Sequence, residues 1–92
     1  MKVRLEAARL LVYRAAWQLE HTRTASLDAA IAKLYVGESL LQSALDTVQV
    51  FGGYGFTVEY GVERALRDAV GARIYSGTSE MQRNIIARWL GL

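Results

Sequence analysis

The chain of 92 residues contains no proline, and four of its eight glycines fall between positions 52 and 61. Proline ends or kinks helices, and glycine weakens them. A chain that has no proline and half of its glycines in one short segment is therefore expected to form long helices. The sequence therefore predicts an all-α fold, a helical bundle of about four helices, in a single domain over residues 1–92.

Apolar residues at helical spacing give the approximate bounds of these helices, two of which are long. The four helices are expected at 2–21, 26–51, 62–70 and 79–90. Ser26 is the predicted N-cap of the second helix, and Ser79 with Gln82 fits a capping box for the last. Residues 53–60 are predicted to form a loop.

The first helix has apolar residues on two opposite sides. Leu5, Val12 and Leu19 line one side, whereas Leu10 and Trp17 lie on the other. With 52% hydrophobic residues, a chain this short has too little interior to bury both sides. Some of this surface is therefore expected to face a partner, a cofactor or another part of a larger protein.

The polar face of the second helix is expected to contact solvent. The acidic residues Asp28, Glu38 and Asp46 lie on it at helical spacing. The sequence thus predicts solvated charge along this side of the helix.

Composition argues against several classes of function. The net charge is +2, from 11 basic and 9 acidic residues that are mixed along the chain, so no nucleic-acid partner is expected. The absence of cysteine excludes disulfides and thiolate metal sites, and no metal site is predicted. No apolar run is long enough to span a membrane and no signal peptide is recognisable, so a cytoplasmic location is expected.

Two glycine-containing segments are candidate ligand sites. Gly52-Gly53-x-Gly55 either ends the second helix or brings open backbone N–H groups to an anion. Residues 77–80 precede and begin the last helix, so they form either a well-capped N-terminus or an anion site. The residues alone leave both alternatives open in each case.

The two segments together resemble a known family. Residues 49–56 (QVFGGYGF) and 74–83 (IYSGTSEMQR), with Arg67-Asp68-Ala69 between them, are similar to the C-terminal signature of flavin-dependent acyl-CoA dehydrogenases. The resemblance extends over the whole chain and matches the later portion of that family's C-terminal helical domain. It implies an FAD-dependent flavoenzyme that catalyses α,β-dehydrogenation of an acyl-CoA, with this chain as one part of it.

The resemblance also implies roles for individual residues. Five residues would contact the FAD that is bound in a neighbouring subunit of a homo- or hetero-oligomer: Gln49, Val50, Phe51, Gly52 and Gly53. Three more would lie along the FAD: Thr78, Ser79 and Glu80. Three would lie at the acyl thioester: Tyr75, Ser76 and Gly77. Tyr75 is equally consistent with core packing.

Ser76 departs from the family pattern, because that position is commonly the glutamate that removes the α-proton of the substrate. A serine hydroxyl is far too weak a base to do so unaided. Three explanations remain open: the base lies on an earlier helix, a sister subunit supplies it, or the protein is a flavin oxygenase of the same fold. A structural or partner subunit that completes another chain's flavin site is the competing hypothesis.

Overall fold

The computed structural model describes residues 1–92, which form five α-helices and one 3₁₀ helix and no strand. The helices are α1 (Lys2–Thr22), α2 (Ser26–Phe51), α3 (Gly53–Phe56), α4 (Val62–Gly71) and α5 (Ser79–Trp89), and the 3₁₀ helix covers Val58–Tyr60. The all-α prediction is confirmed. None of these helices has both the length and the apolar character that crossing a membrane requires.

The predicted loop at 53–60 is wrong, because this segment is mostly helical. Gly52 ends α2 with a φ of 60° and a ψ of −141°, a positive φ as expected but outside the left-handed helical region. Gly55 is buried, and a Cβ there would lie 2.8 Å from the Cβ of Phe51 and 2.9 Å from the carbonyl oxygen of Val48. The glycines thus allow a tight helical reversal, which adds a helix to the four expected.

Helices α1 and α2 form an antiparallel hairpin joined at residues 23–25. Arg4 contacts Asp46 at 2.7 Å, and Arg14 contacts Asp28 at 2.8 Å. The prediction of free, solvated charge along α2 is therefore wrong for these acidic residues. The prediction that Ser26 is the N-cap of α2 is also wrong, since Ala25 is the N-cap and no side chain caps this end of the helix.

Helix α2 is the centre of the fold, because the other four α-helices all pack against it. The buried apolar residues at these contacts are small, namely Ala30 and Ala32 on α2 and Ala69 on α4, and no large side chain is fully buried. The radius of gyration is 15.3 Å, against about 12 Å for a compact domain of this length. The chain therefore builds close helix contacts without building a core of its own.

The expected two-sided apolar character of α1 is confirmed. No residue of α1 is buried. Leu19 on one side is 62% exposed, and Leu10 on the other is 68% exposed. Helix α1 packs against α2 alone, so most of its apolar surface has no partner within the chain.

We expect the isolated chain to self-associate in solution, because an isolated monomer would expose a large apolar surface to water. Light scattering over a range of protein concentrations measures the mass directly. A well-folded monomer at high micromolar concentration would contradict this expectation.

Candidate functional site

The candidate thioester segment is the turn between α4 and α5. The N–H of Tyr75 donates to the carbonyl of Gly71 at 3.1 Å, and the N–H of Ser79 donates to the carbonyl of Arg73 at 3.0 Å. Between these bonds, Ser76 has a φ of 55° and Gly77 a φ of 89°. Two successive residues in the positive-φ region reverse the chain sharply, and such a conformation persists only where the surroundings hold it.

Glycine is required at position 77 for two reasons. Its φ of 89° disfavours any residue with a side chain. In addition, a Cβ there would lie 2.5 Å from Nε2 of Gln82, which itself donates to the Gly77 carbonyl at 3.4 Å. The buried Gln82 amide thus packs directly against the backbone of the turn.

The start of α5 is capped one residue earlier than the sequence predicts. Thr78 is the N-cap, and its Oγ1 accepts a hydrogen bond from the N–H of Met81 at 3.2 Å. Ser79 is instead the first helical residue, and it is 2% exposed. The hydroxyl of Ser79 is therefore available for a contact other than capping.

Close to Ser79, Glu38 on α2 is the centre of an ionic cluster. Nε of Arg73 donates to Oε1 of Glu38 at 2.9 Å, and Arg83 lies 3.9 Å from the same oxygen. The pKa of Glu38 is below its ordinary value, first through the neighbouring Ser79 hydroxyl; partial burial opposes this, and Arg73 and then Arg83 lower it further. We define these four residues as the Glu38 cluster.

Two further contacts join the same stretch of α2 to the residue before Arg73. Nζ of Lys33 donates to the carbonyl of Ala72 at 2.7 Å. Gly37 lies against that carbonyl, since a Cβ on it would be 3.2 Å from the oxygen. The turn is thus attached to α2 along about one helical turn.

The turn presents unpaired donors to solvent. The backbone N–H groups of Ser76, Gly77 and Thr78 make no hydrogen bond within the chain. Beside them is a small cavity of about 230 Å³, lined by Val70, Arg73, Ile74, Thr78 and Glu80. Backbone donors that are fixed in a turn can stabilise a carbonyl oxygen or an anion without reorganising.

Tyr75 lies outside any core in this chain. Its side chain is 62% exposed, and its ring covers Gly71, where a Cβ would lie 2.8 Å from Cε1 of the tyrosine. Of the two interpretations of this residue, core packing receives no support from the chain itself.

The second candidate segment is the end of α2, where all five implicated residues are exposed: Gln49, Val50, Phe51, Gly52 and Gly53. A Cβ on Gly52 or Gly53 would meet no atom within 4 Å. The N–H groups of Gly53 and Tyr54 make no hydrogen bond within the chain. The backbone here is therefore open to close approach by a phosphate-bearing ligand, and this donor set fits the pyrophosphate of FAD.

The fold does not bring the two segments together. Glu38, which holds the turn, and Gln49 lie on the same helix, 11 positions apart, so the rise along α2 separates them by about 16 Å.

Sequence reasoning missed Lys33 and the residues of the Glu38 cluster other than Ser79. The spacing of Lys33 and Gly37, four residues apart on α2, is a local signal for Lys33 alone, because the contact between Arg73 and Glu38 spans 35 positions.

Comparison with known proteins identifies the family. A family model described as "Acyl-CoA dehydrogenase, C-terminal domain" matches residues 1–91. The chain therefore belongs to the acyl-CoA dehydrogenase family and corresponds to its C-terminal domain.

Two curated relatives illustrate the range of named activities in this family. The chain is 48% identical over 92 residues to the L-prolyl-[peptidyl-carrier protein] dehydrogenase of Pseudomonas fluorescens, covering 100% of the chain and 24% of the relative. It is 46% identical over 90 residues to an acyl-CoA dehydrogenase of Bacillus subtilis, covering 98% of the chain and 24% of the relative. The chain thus spans about a quarter of the length of these relatives.

Solved structures agree with the sequence comparison. The crystal structure of the prolyl acyl carrier protein oxidase AnaB gives a TM-score of 0.96 at 46% identity. The FAD complex of PigA gives a TM-score of 0.95 at 46% identity, and butyryl-CoA dehydrogenase from Megasphaera elsdenii gives a TM-score of 0.94 at 41% identity. Each comparison covers 100% of this chain and 24% of the other.

The Glu38 cluster predicts a pH-dependent stability. The folded-state pKa of Glu38 is below its ordinary value of 4.5, so its contribution is present above that pH and lost as the pH falls through the folded pKa. The difference in free energy of unfolding between wild type and Glu38→Gln should therefore be largest near neutral pH and shrink in acid.

Denaturant titrations at one fixed protein concentration measure this difference, since association also shifts apparent stability. Glu20→Gln is the control, because Glu20 is exposed and should change stability little. A wild-type advantage over Glu38→Gln that stays constant from neutral to acidic pH would contradict the assignment.

Proposed function

We propose that this chain forms part of an FAD-dependent acyl-thioester dehydrogenase, which introduces a double bond between the α and β carbons of its substrate. One observation carries this proposal. The family match covers residues 1–91, and within it the turn at Ser76 and Gly77 presents three unpaired N–H groups beside a small cavity.

In this proposal, the turn binds the substrate carbonyl. N–H groups in the positive-φ turn at Ser76 and Gly77 donate to the thioester oxygen, which makes the α-proton more acidic as negative charge develops on that oxygen. Tyr75, exposed beside the turn, covers one side of the acyl group. A bound flavin supplies the acceptor for the hydride that leaves the β carbon.

The proton acceptor lies elsewhere in the full-length protein. Ser76 cannot serve as the base. Glu38 is a poor candidate, because its arginine partners favour the ionised form and its pKa is lowered. A carboxylate from outside these 92 residues is therefore proposed as the base, which the coverage of about a quarter of the relatives allows.

The flavin site is proposed to be shared between subunits. The turn and the open glycines at 52 and 53 are separated along α2, and the exposed apolar faces of α1 favour an oligomer. In this arrangement, Thr78 and Glu80 lie along the flavin of their own subunit, whereas Ser79, predicted to do the same, is only 2% exposed and supports the turn instead. Residues 49–53 contact the flavin of the neighbour.

A thioester on a carrier protein is the second candidate substrate. The observation that favours it is the 48% identity to a prolyl-carrier-protein dehydrogenase, beside 46% to an acyl-CoA dehydrogenase. A non-catalytic partner subunit is the rival function.

The deciding experiment incubates the purified full-length protein with an artificial electron acceptor and either acyl-CoA or prolyl-carrier-protein thioesters. If the protein turns over neither class of thioester, the proposal is wrong.

In that assay, Ser76→Ala should keep activity within about tenfold of wild type, because at most one hydrogen bond of about 1.4 kcal/mol is lost. The Ser76 side chain is exposed, so its truncation leaves no cavity. A loss of a thousandfold or more at unchanged flavin content would show that the hydroxyl takes part in the chemistry.

The variant Ser76→Glu distinguishes an enzyme whose base lies elsewhere in the same protein from a non-catalytic subunit. Ser76→Gln is the control of equal size. If the base is supplied elsewhere in the same protein, a second carboxylate raises the pKa of the first and depresses activity at neutral pH. If the protein is a non-catalytic subunit with an intact pocket, Ser76→Glu should gain dehydrogenation that Ser76→Gln lacks.

A further inference from the structure

We infer that Glu38 is a positioning residue for the thioester-binding turn, acting from α2 without contacting the substrate. The inference rests on the proposed function and adds a residue to its machinery. The observation that carries it is that one carboxylate oxygen lies within 4 Å of arginines on both sides of the turn, Arg73 before it at 2.9 Å and Arg83 after it at 3.9 Å.

These contacts close the turn at its base. The N–H of Ser79 donates to the carbonyl of Arg73 at 3.0 Å, so the two flanking residues are already adjacent. Glu38 then accepts a hydrogen bond from Nε of Arg73 at 2.9 Å, and Arg83, one turn after Ser79 on α5, lies 3.9 Å from the same oxygen. The conformation of residues 74–78 is therefore fixed at two points by one group.

Besides Glu38, the turn is held by its backbone hydrogen bonds, by the Gln82 amide at the Gly77 carbonyl and by Lys33 at the Ala72 carbonyl. Ile74 is 61% exposed and Tyr75 62%, so burial of these side chains contributes little. Ser76 holds a φ of 55°, which costs a residue with a Cβ some free energy. A strained and exposed turn needs attachment from outside itself, and the Glu38 cluster supplies the attachment at both of its ends.

Replacing Glu38 by glutamine keeps the size of the side chain and removes its charge. Arg73 then loses its ionic partner, because the only acidic side chain within 4 Å of it is Glu38. The turn should leave its strained conformation more often, and the N–H groups of Ser76 and Gly77 should then be presented to the substrate less often.

The experiment uses the full-length protein and two measurements. Hydrogen–deuterium exchange of peptides covering residues 74–79 reports on the turn without requiring activity. Steady-state kinetics with the thioester substrate then separates kcat from KM. Asp28→Asn is the matched control, since Arg14 contacts Asp28 through Nε at 2.8 Å much as Arg73 contacts Glu38 at 2.9 Å, but between α1 and α2.

For Glu38→Gln, we expect exchange at the hydrogen-bonded N–H groups of Ile74, Tyr75 and Ser79 to rise about tenfold. We expect kcat/KM to fall about tenfold, the size of one lost charge-assisted hydrogen bond. The flavin content should stay at the wild-type level. The control should leave both quantities within about twofold of wild type, even where its thermal midpoint drops as far as that of Glu38→Gln.

Exchange and kinetics that match the control would overturn the inference. A wild-type protein that turns over no thioester would overturn the proposed function instead, and the exchange data alone would then decide whether Glu38 holds the turn. If Glu38→Gln fails to fold, Arg73→Gln removes the same ion pair from the other side, and it should raise exchange at 74–79 in the same way.

Discussion

The structure depends most on the carboxylate of Glu38, which joins the central helix α2 to the segment that leads into α5. Arg73 and Arg83 both contact this one group, and Lys33 attaches the backbone just before Arg73. Because the ion pair is partly exposed, its value lies more in specifying geometry than in net stability. It sets where the turn at Ser76 lies along α2.

The second constraint is the absence of a core. The buried apolar residues are alanines, and α1 packs against α2 alone. Small residues on α2 bring the helices close together, whereas the large apolar side chains are only half-buried or are exposed. The exposed apolar surface is consistent with the finding that the chain covers about a quarter of the length of its relatives. The exposed segments of the proposed flavin site share this property, since each is open to solvent until another part of the assembly covers it.

Much of the fold could be predicted from the sequence, because hydrophobic periodicity and glycine positions act locally. The bounds of α1, α4 and α5 agree with the pattern within one or two residues. The reversal at 53–60 could not be predicted in this way, since it depends on Gly55 packing against the end of α2. The capping error at Ser79 has a similar origin: Thr78 caps α5, and Ser79 is the first helical residue, buried by the packing of the helices.

The candidate site was predictable only in part. Its segments are contiguous in sequence, so a motif can find them, and the open N–H groups at Ser76 and Gly53 agree with a binding role. The roles of Glu38 and Arg73 depend on a contact across 35 positions, which no local pattern contains. The sequence therefore predicts Glu38 as a solvated charge on a polar helix face, and only the packing of α4 and α5 against α2 shows its contacts.

The most direct test of the account is subunit complementation in the full-length protein. Gly53→Asp places a carboxylate at the open backbone after α2, and Ser76→Trp fills the turn; each variant alone should be inactive. If each site takes its turn from one subunit and residues 49–53 from another, mixed dimers contain one site with no substitution. Co-expression should then recover about a quarter of wild-type activity for random pairing of two subunits. No recovery in mixed assemblies of confirmed composition would show that both segments serve the same site, and would contradict the account.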